Sequence, residues 1–178
     1  RKQLHDHGYE RYELSNYAKP GYECRHNKIY WTRGNYLGIG LGSSSLMEHC
    51  RFSNITDLRS YMTLWQTSAL PPAYDHTLTH HNVNSLNTCM DRGIASFERL
   101  DTAAEMEEFM FLGLRKIQGV SKKKFEETFG VPIKEVYGEV ISTMKDKGLL
   151  EEVDEYIRLT EDGIDVSNYV MSEFLLDV

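Results

Sequence analysis

The stretch TAAEMEEFMFLGLRKI, residues 102–117, contains the clearest helix pattern in the sequence. Thr102 stands three residues before Glu105, the spacing of a capping box, in which each side chain binds a backbone amide at the start of a helix. The apolar residues after them recur every three or four positions, which places them along one face of a helix. They are Met106, Phe109, Met110, Gly113, Leu114 and Ile117.

Signals for two more helices follow at once. Ser121 is a suitable N-cap for a short helix that Gly130 ends. Pro132 then stands in the first turn of a longer helix, and Gly148 follows its last residue. These start and stop residues predict three consecutive helices.

The end of the sequence predicts a hairpin and a closing helix. The stretches 149–153 and 156–159 flank an Asp-Glu turn, and residues 160–174 return to helical spacing. Three helices, a hairpin and a closing helix are the order of a winged-helix-like domain, which we place at residues 96–178.

The first half of the sequence has weaker patterns. Residues 9–18 are rich in aromatic side chains and predict a strand closed by a turn, and residues 36–41 predict a buried strand. Residues 57–69 have helical spacing, whereas 73–95 lack a clear period. We therefore predict an α+β fold with divisions at 1–55, 56–95 and 96–178, in which 56–95 is a linking helix and loop.

Composition favours a globular protein in a reducing compartment. Hydrophobic residues make up 40% and charged residues 26%, and no apolar run reaches the roughly 18 residues of a membrane span. The three cysteines fit neither a disulfide framework nor a paired metal motif, so we expect a cytoplasmic location. The sequence starts at Arg1 without an initiator Met, which suggests an excised fragment.

The charge is divided unevenly between the two halves. Residues 1–100 carry 11 Lys and Arg against 9 Asp and Glu, whereas residues 101–178 carry 9 against 18. A winged helix can be a DNA reader, but a net charge of −9 would be repelled by phosphates, and Lys122-Lys123-Lys124 is a small basic cluster. We expect no nucleic-acid partner.

Residues 24–31, CRHNKIYW, concentrate the side chains that could carry chemistry. The imidazole of His26 could ligate haem iron, Tyr30 and Trp31 could cover a porphyrin face, and Arg25 could pair with a propionate. The same residues also suit a plain structural role, in which the aromatics fill the core and His26 and Asn27 hydrogen-bond the turn. Composition alone favours the structural role.

Two other patterns are weaker evidence for a cofactor or metal site. Gly38, Gly40 and Gly42 lack the spacing of a dinucleotide-binding loop and suggest a strand that is closely approached, beside a cofactor site in a longer protein. The group His76, His80, His81 and Cys89 matches no common zinc spacing, and we assign it no metal.

Six segments, in order, resemble the C-terminal half of the coproporphyrinogen III oxidase-like radical SAM family and extend over nearly the whole sequence. They are YELSNYA at 12–18, CRHNKIYW at 24–31, YLGIGLGSSS at 36–45, RFSN at 51–54, FMFLGLR at 109–115 and LTEDG at 159–163.

The resemblance changes the interpretation of residues 24–31. The pattern His-Asn-x-x-Tyr-Trp resembles the mark of the haem-chaperone branch of this family and falls on His26, Asn27, Tyr30 and Trp31. It implies haem binding, with His26 on the haem iron and Arg25 nearby, and delivery to an unidentified client protein. The alternative is the oxidase branch, which converts coproporphyrinogen III to protoporphyrinogen IX.

The resemblance also implies the remaining parts of a longer protein. Residues 1–55 would be the terminal strands of a partial (β/α) radical SAM barrel, and the winged-helix-like domain would be a lid or docking surface. The cysteine motif that holds the family's [4Fe–4S] cluster is missing from this sequence. The cluster and S-adenosyl-L-methionine would bind elsewhere in the full-length parent, and we expect this segment alone to be inactive. A barrel strand at 9–18 without its neighbour would expose an edge, through which two copies could pair.

Overall fold

The computed structural model describes residues 1–67 and 93–176. The chain divides into two compact units, one of Arg1–Arg33 with Thr102–Val178 and the other of Gly34–Asp101. This division differs from the predicted boundaries at 55 and 95. The difference arises because residues 12–14 are hydrogen-bonded to residues 115–117, which ties the start of the chain to its C-terminal part.

The described residues form a mixed set of short strands and helices. The helices are α1 (Lys2–Asp6), α2 (Arg25–Trp31), α3 (Leu58–Thr67), α4 (Thr102–Gly113), α5 (Lys122–Phe129), α6 (Ile133–Asp146), α7 (Glu161–Asp165) and α8 (Ser167–Ser172). The strands are β1 (Glu10–Arg11), β2 (Tyr17–Ala18), β3 (Ser44–Met47), β4 (Cys50–Asn54), β5 (Ile94–Arg99), β6 (Val120–Ser121), β7 (Leu150–Val153) and β8 (Tyr156–Leu159). The predicted α+β class is confirmed.

The predicted start and stop of α5 are confirmed, whereas α4 ends at Gly113 and does not reach Ile117 as predicted. The Ser121 hydroxyl accepts a hydrogen bond from the Lys124 amide at 3.0 Å, and Gly130 ends α5 with a φ of 73°. Pro132 lies one position earlier than predicted, as the N-cap of α6. The predicted single closing helix is wrong: it is divided into α7 and α8 at Val166, whose φ of −117° and ψ of 29° depart from helical values.

The predicted hairpin pairs β7 with β8 in antiparallel register, and Asp154 forms its turn with a φ of 54°. The two-residue strand β6 pairs with the other edge of β8, which gives the order β6-β8-β7. Strand β6 was not predicted, because two residues are too few to show an alternating pattern.

A single apolar core holds α4, α5, α6, the hairpin and α8 together. Leu14, from the start of the chain, packs against this core. The fully buried members include Met110, Leu114, Phe125, Tyr137, Met144, Ile157, Met171 and Phe174. The N-terminal residues therefore share a core with the C-terminal part, as the contact between 12–14 and 115–117 indicates.

The predicted strand over residues 9–18 is wrong, because the chain reverses within it. Strands β1 and β2 pair antiparallel as a short hairpin, with Glu10 opposite Ala18. The Leu14 amide donates to the Arg115 carbonyl at 3.0 Å, and the Ile117 amide donates to the Tyr12 carbonyl at 3.2 Å. These bonds occupy part of the edge that was expected to be exposed; pairing between copies stays a prediction.

In the unit Gly34–Asp101, β3, β4 and β5 form an antiparallel sheet in that order. The predicted strand at 36–41 is reduced to an isolated bridge between Tyr36 and Leu46, and the residues after it form a loop in which Ile39 is 83% exposed. Close approach is confirmed at Gly38, where a Cβ would overlap the Ser44 carbonyl.

Helix α3, Leu58–Thr67, confirms the predicted helix at 57–69 over the residues that the structure describes, and 68 and 69 lie outside them. Most of the linking loop predicted at 73–95 lies outside the described residues, although β5 begins at Ile94 and overlaps its end. The group His76, His80, His81 and Cys89 also lies outside them.

Candidate functional site

The segment 24–31, which holds the candidate haem-binding side chains, forms the helix α2 with Cys24 as its N-cap. This segment was predicted to follow a turn, and a helix was not predicted for it. The signal was present, since His26 with Tyr30 and Asn27 with Trp31 are spaced four residues apart and therefore lie on shared helix faces. The face with His26 and Tyr30 and the face with Asn27 and Trp31 have different surroundings.

Asn27 and Trp31 form the inner face of α2. The Asn27 side-chain amide donates to the Tyr12 hydroxyl at 3.5 Å. The Trp31 ring is half-buried, and the guanidinium carbon of Arg115 lies 4.5 Å from its centroid, in the range of a cation–π contact. The Trp31 indole nitrogen is buried and has no hydrogen-bond partner. This face holds the helix on the rest of its unit.

His26 and Tyr30 form the outer face. His26 is exposed, and its Nε2 lies 2.8 Å from the Tyr30 hydroxyl oxygen. The two rings meet edge to face, with centroids 4.7 Å apart. Ile29 is 40% exposed on the same helix, and Arg25 is also exposed. An imidazole, an apolar side chain and a cation are thus accessible on seven residues of helix.

Arg33, two residues beyond α2, anchors the end of this helix to α4. Its Nε donates to Glu108 at 3.2 Å, and its terminal nitrogen lies 3.4 Å from Glu105. All three side chains are at most 15% exposed, so this pairing is shielded from solvent. Glu105 was predicted only as a capping residue, and no role was predicted for Arg33, because the two positions share no local motif.

Glu13 and Arg115 form a second buried polar contact beneath α2. Glu13 is fully buried; one of its oxygens accepts from the Ser15 amide and the Asn16 side chain, at 2.9 and 2.5 Å. Its other oxygen lies 3.8 Å from a terminal nitrogen of Arg115. Both residues lie in segments that resemble the family, but neither was predicted to have a role.

The outer face of α2 offers one imidazole, that of His26. Within residues 1–67 and 93–176, no three His, Cys, Asp or Glu side chains are grouped so that they could hold a bare metal ion. Haem makes a smaller demand, because the porphyrin supplies four nitrogens and the protein can supply a single axial imidazole. The exposed His26 beside the apolar Ile29 fits that demand.

No helix among the described residues has the length and apolar character needed to span a membrane. The predicted cytoplasmic location stays a prediction.

Comparison with known sequences and structures shows which proteins the chain is similar to. Residues 100–166 match the family described as the HemN C-terminal domain. Over 98% of its length the chain is 34% identical to the haem chaperone HemW of Lactococcus lactis, and over 95% it is 32% identical to that of Bacillus subtilis. The haem chaperone HemW of Escherichia coli is 27% identical over 96% of the chain.

A solved structure has a similar fold. It is coproporphyrinogen III oxidase (HemN) from Escherichia coli, described as a radical SAM enzyme, with a TM-score of 0.67 and 12% identity over 98% of this chain. The chain spans 38% of that protein and about 40% of the HemW proteins of Lactococcus lactis and Bacillus subtilis. Over nearly its whole length the chain is similar to part of the HemW haem chaperones, and its residues 100–166 match the HemN C-terminal domain, which confirms the resemblance inferred from its motifs.

Proposed function

We propose that this chain is the haem-binding part of a haem chaperone, and that α2 is the element that binds. The observation that carries the proposal is the exposed imidazole of His26 on a short helix whose opposite face is anchored. The names of the relatives support a chaperone over the alternative, the oxidation of coproporphyrinogen III, because the similar curated proteins are haem chaperones.

The residues of α2 take different roles in this proposal. His26 supplies the axial nitrogen to the iron, Ile29 contacts the porphyrin edge, and Arg25 pairs with a propionate. Asn27 and Trp31 belong to the same haem-binding motif, and their contacts with Tyr12 and Arg115 also hold α2 in place. Haem supplies the iron and the flat apolar ring, and the protein binds and later releases it.

Tyr30 competes with iron for the ligand nitrogen. Its hydroxyl is 2.8 Å from His26 Nε2, so this hydrogen bond must open before Nε2 can bind iron. A bond that must be broken lowers affinity, which suits a protein that has to pass its haem on. Tyr30 thus favours release.

Beyond α2, the proposal covers the longer parent protein. Residues 1–55 would complete a partial radical SAM barrel, and residues 96–178 would form a winged-helix-like lid or docking surface for the haem-receiving client. The [4Fe–4S] cluster and S-adenosyl-L-methionine would bind to other parts of that protein. The net charge of −9 over residues 101–178 supports a protein partner rather than a nucleic acid.

Haem titration of the intact protein tests the proposal. We expect His26→Ala to weaken binding by tenfold or more and to change the Soret band, because an axial ligand is lost. The matched control is His5→Ala, which removes another exposed imidazole from the same unit. Equal affinities and spectra for wild type and His26→Ala would refute the assignment. A parallel assay with coproporphyrinogen III decides the alternative.

A further inference from the structure

The haem-binding helix α2 is too short to hold its own orientation. A helix of seven residues is far below the roughly 12 to 15 residues at which isolated helices become marginally stable. Its direction must come from contacts with neighbouring elements. Two such contacts join the end of α2 to α4 and the residues just after it, through Arg33 and through Arg115.

Arg115 differs from Arg33 because it contacts a residue of α2 itself. Its guanidinium lies over the Trp31 ring at 4.5 Å from the centroid, while a terminal nitrogen faces the carboxylate of Glu13 at 3.8 Å. The backbone carbonyl of Arg115 accepts from the Leu14 amide, so Arg115 and the residue after Glu13 are also joined through the main chain. The side chain is 22% exposed.

The carboxylate that Arg115 faces is buried. Glu13 is fully buried, and its oxygen facing Arg115 has no hydrogen bond, as is also true of the Arg115 Nε and the Trp31 indole nitrogen. Buried polar atoms are rarely left without partners, and a buried charge is costly unless it is compensated. A planar guanidinium can stack on an aromatic ring and face a carboxylate at once, which a lysine ammonium cannot do.

We propose that Arg115, held by Glu13, is a positioning residue for haem binding: it fixes Trp31 and thereby sets the direction in which α2 presents His26. This inference rests on the proposed function, since it concerns how that site is oriented. It gives residues 100–166, the part that matches the HemN C-terminal domain, an indirect role in orienting the haem site. Arg115 does not contact haem and acts only through Trp31.

The test is a double-mutant cycle on haem affinity in the intact protein. Arg115→Lys keeps the charge but removes the guanidinium that lies over the Trp31 ring, and we expect it to weaken haem binding about tenfold, as loss of a group that orients a metal ligand typically does. In a Trp31→Leu background, Arg115→Lys should have little further effect, because the ring through which it acts is gone. The control is Arg158→Lys, which makes the same change at the surface pair with Glu151.

A readout without haem keeps the inference separate from the proposed function. The indole N–H resonance of Trp31, assigned by its loss in Trp31→Leu, should shift in Arg115→Lys and in Glu13→Gln but not in Arg158→Lys. Unchanged affinity in Arg115→Lys, equal losses in both backgrounds, or an unmoved indole resonance would each overturn the role of Arg115. If the indole shifts as expected and the wild type binds no haem, the proposed function fails and with it the link to haem.

Discussion

Phe125 is the side chain whose loss should destabilise the C-terminal core most clearly. It is fully buried and contacts three rings: Phe109 at a centroid distance of 5.5 Å, Phe129 at 4.7 Å and Tyr137 at 6.0 Å. Removal of a buried Phe side chain costs about 3–5 kcal/mol, and aromatic pairs add to burial. We expect Phe125→Ala to fall near the top of that range, about 4–5 kcal/mol.

Urea denaturation followed by far-UV circular dichroism measures this loss. Glu126→Ala is the matched control: it changes the next residue of α5, which is exposed, and should alter the free energy of unfolding by less than about 0.5 kcal/mol. Phe125→Leu, which keeps most of the volume, should cost less than Phe125→Ala. A free energy of unfolding for Phe125→Ala within about 1 kcal/mol of wild type would show that this ring cluster does not form.

Three further outcomes are expected. Gly163→Ala should destabilise the protein in thermal melts, because the added Cβ would overlap the Leu149 carbonyl. Hydrogen bonds from two lysines lower the pKa of Glu152 from 4.5 to about 2. The ionised carboxylate therefore stabilises the fold above pH 4.5, and this stabilisation is lost as the pH falls towards 2. Glu152→Gln should remove about 1–2 kcal/mol of this acid-sensitive stability in denaturation curves. Tyr30→Phe should tighten haem binding in titrations, since it frees Nε2 of His26, and weaker binding would contradict the competing role of the hydroxyl.

Local signals made much of the C-terminal part predictable. Ser121 and Gly130 bracket a helix through interactions with residues three or four positions away, and such signals are readable in a sequence. A single strand was wrongly predicted over 9–18 because its aromatic residues suggest a strand, whereas the chain reverses between Arg11 and Tyr17. No Gly-containing turn marks that reversal.

The contacts that hold α2 in place could not be predicted, and the reason is different. The residues of α2 were found because they are adjacent in sequence and resemble a family motif. Arg33 and Glu108 are 75 residues apart, and Arg115 is even farther from Trp31, so neither contact leaves a local pattern. Only the packing of the N-terminal residues with the C-terminal core brings them together.

Identification of the amino-acid ligand of the haem iron tests most directly the central claim, that His26 on α2 binds haem. Resonance Raman spectra of the ferrous haem complex, with and without ¹⁵N-labelled histidine, identify an iron–histidine vibration by its isotope shift. We expect this band in wild type and in His5→Ala, and its loss in His26→Ala. An isotope-sensitive iron–histidine band that persists in His26→Ala would contradict the account.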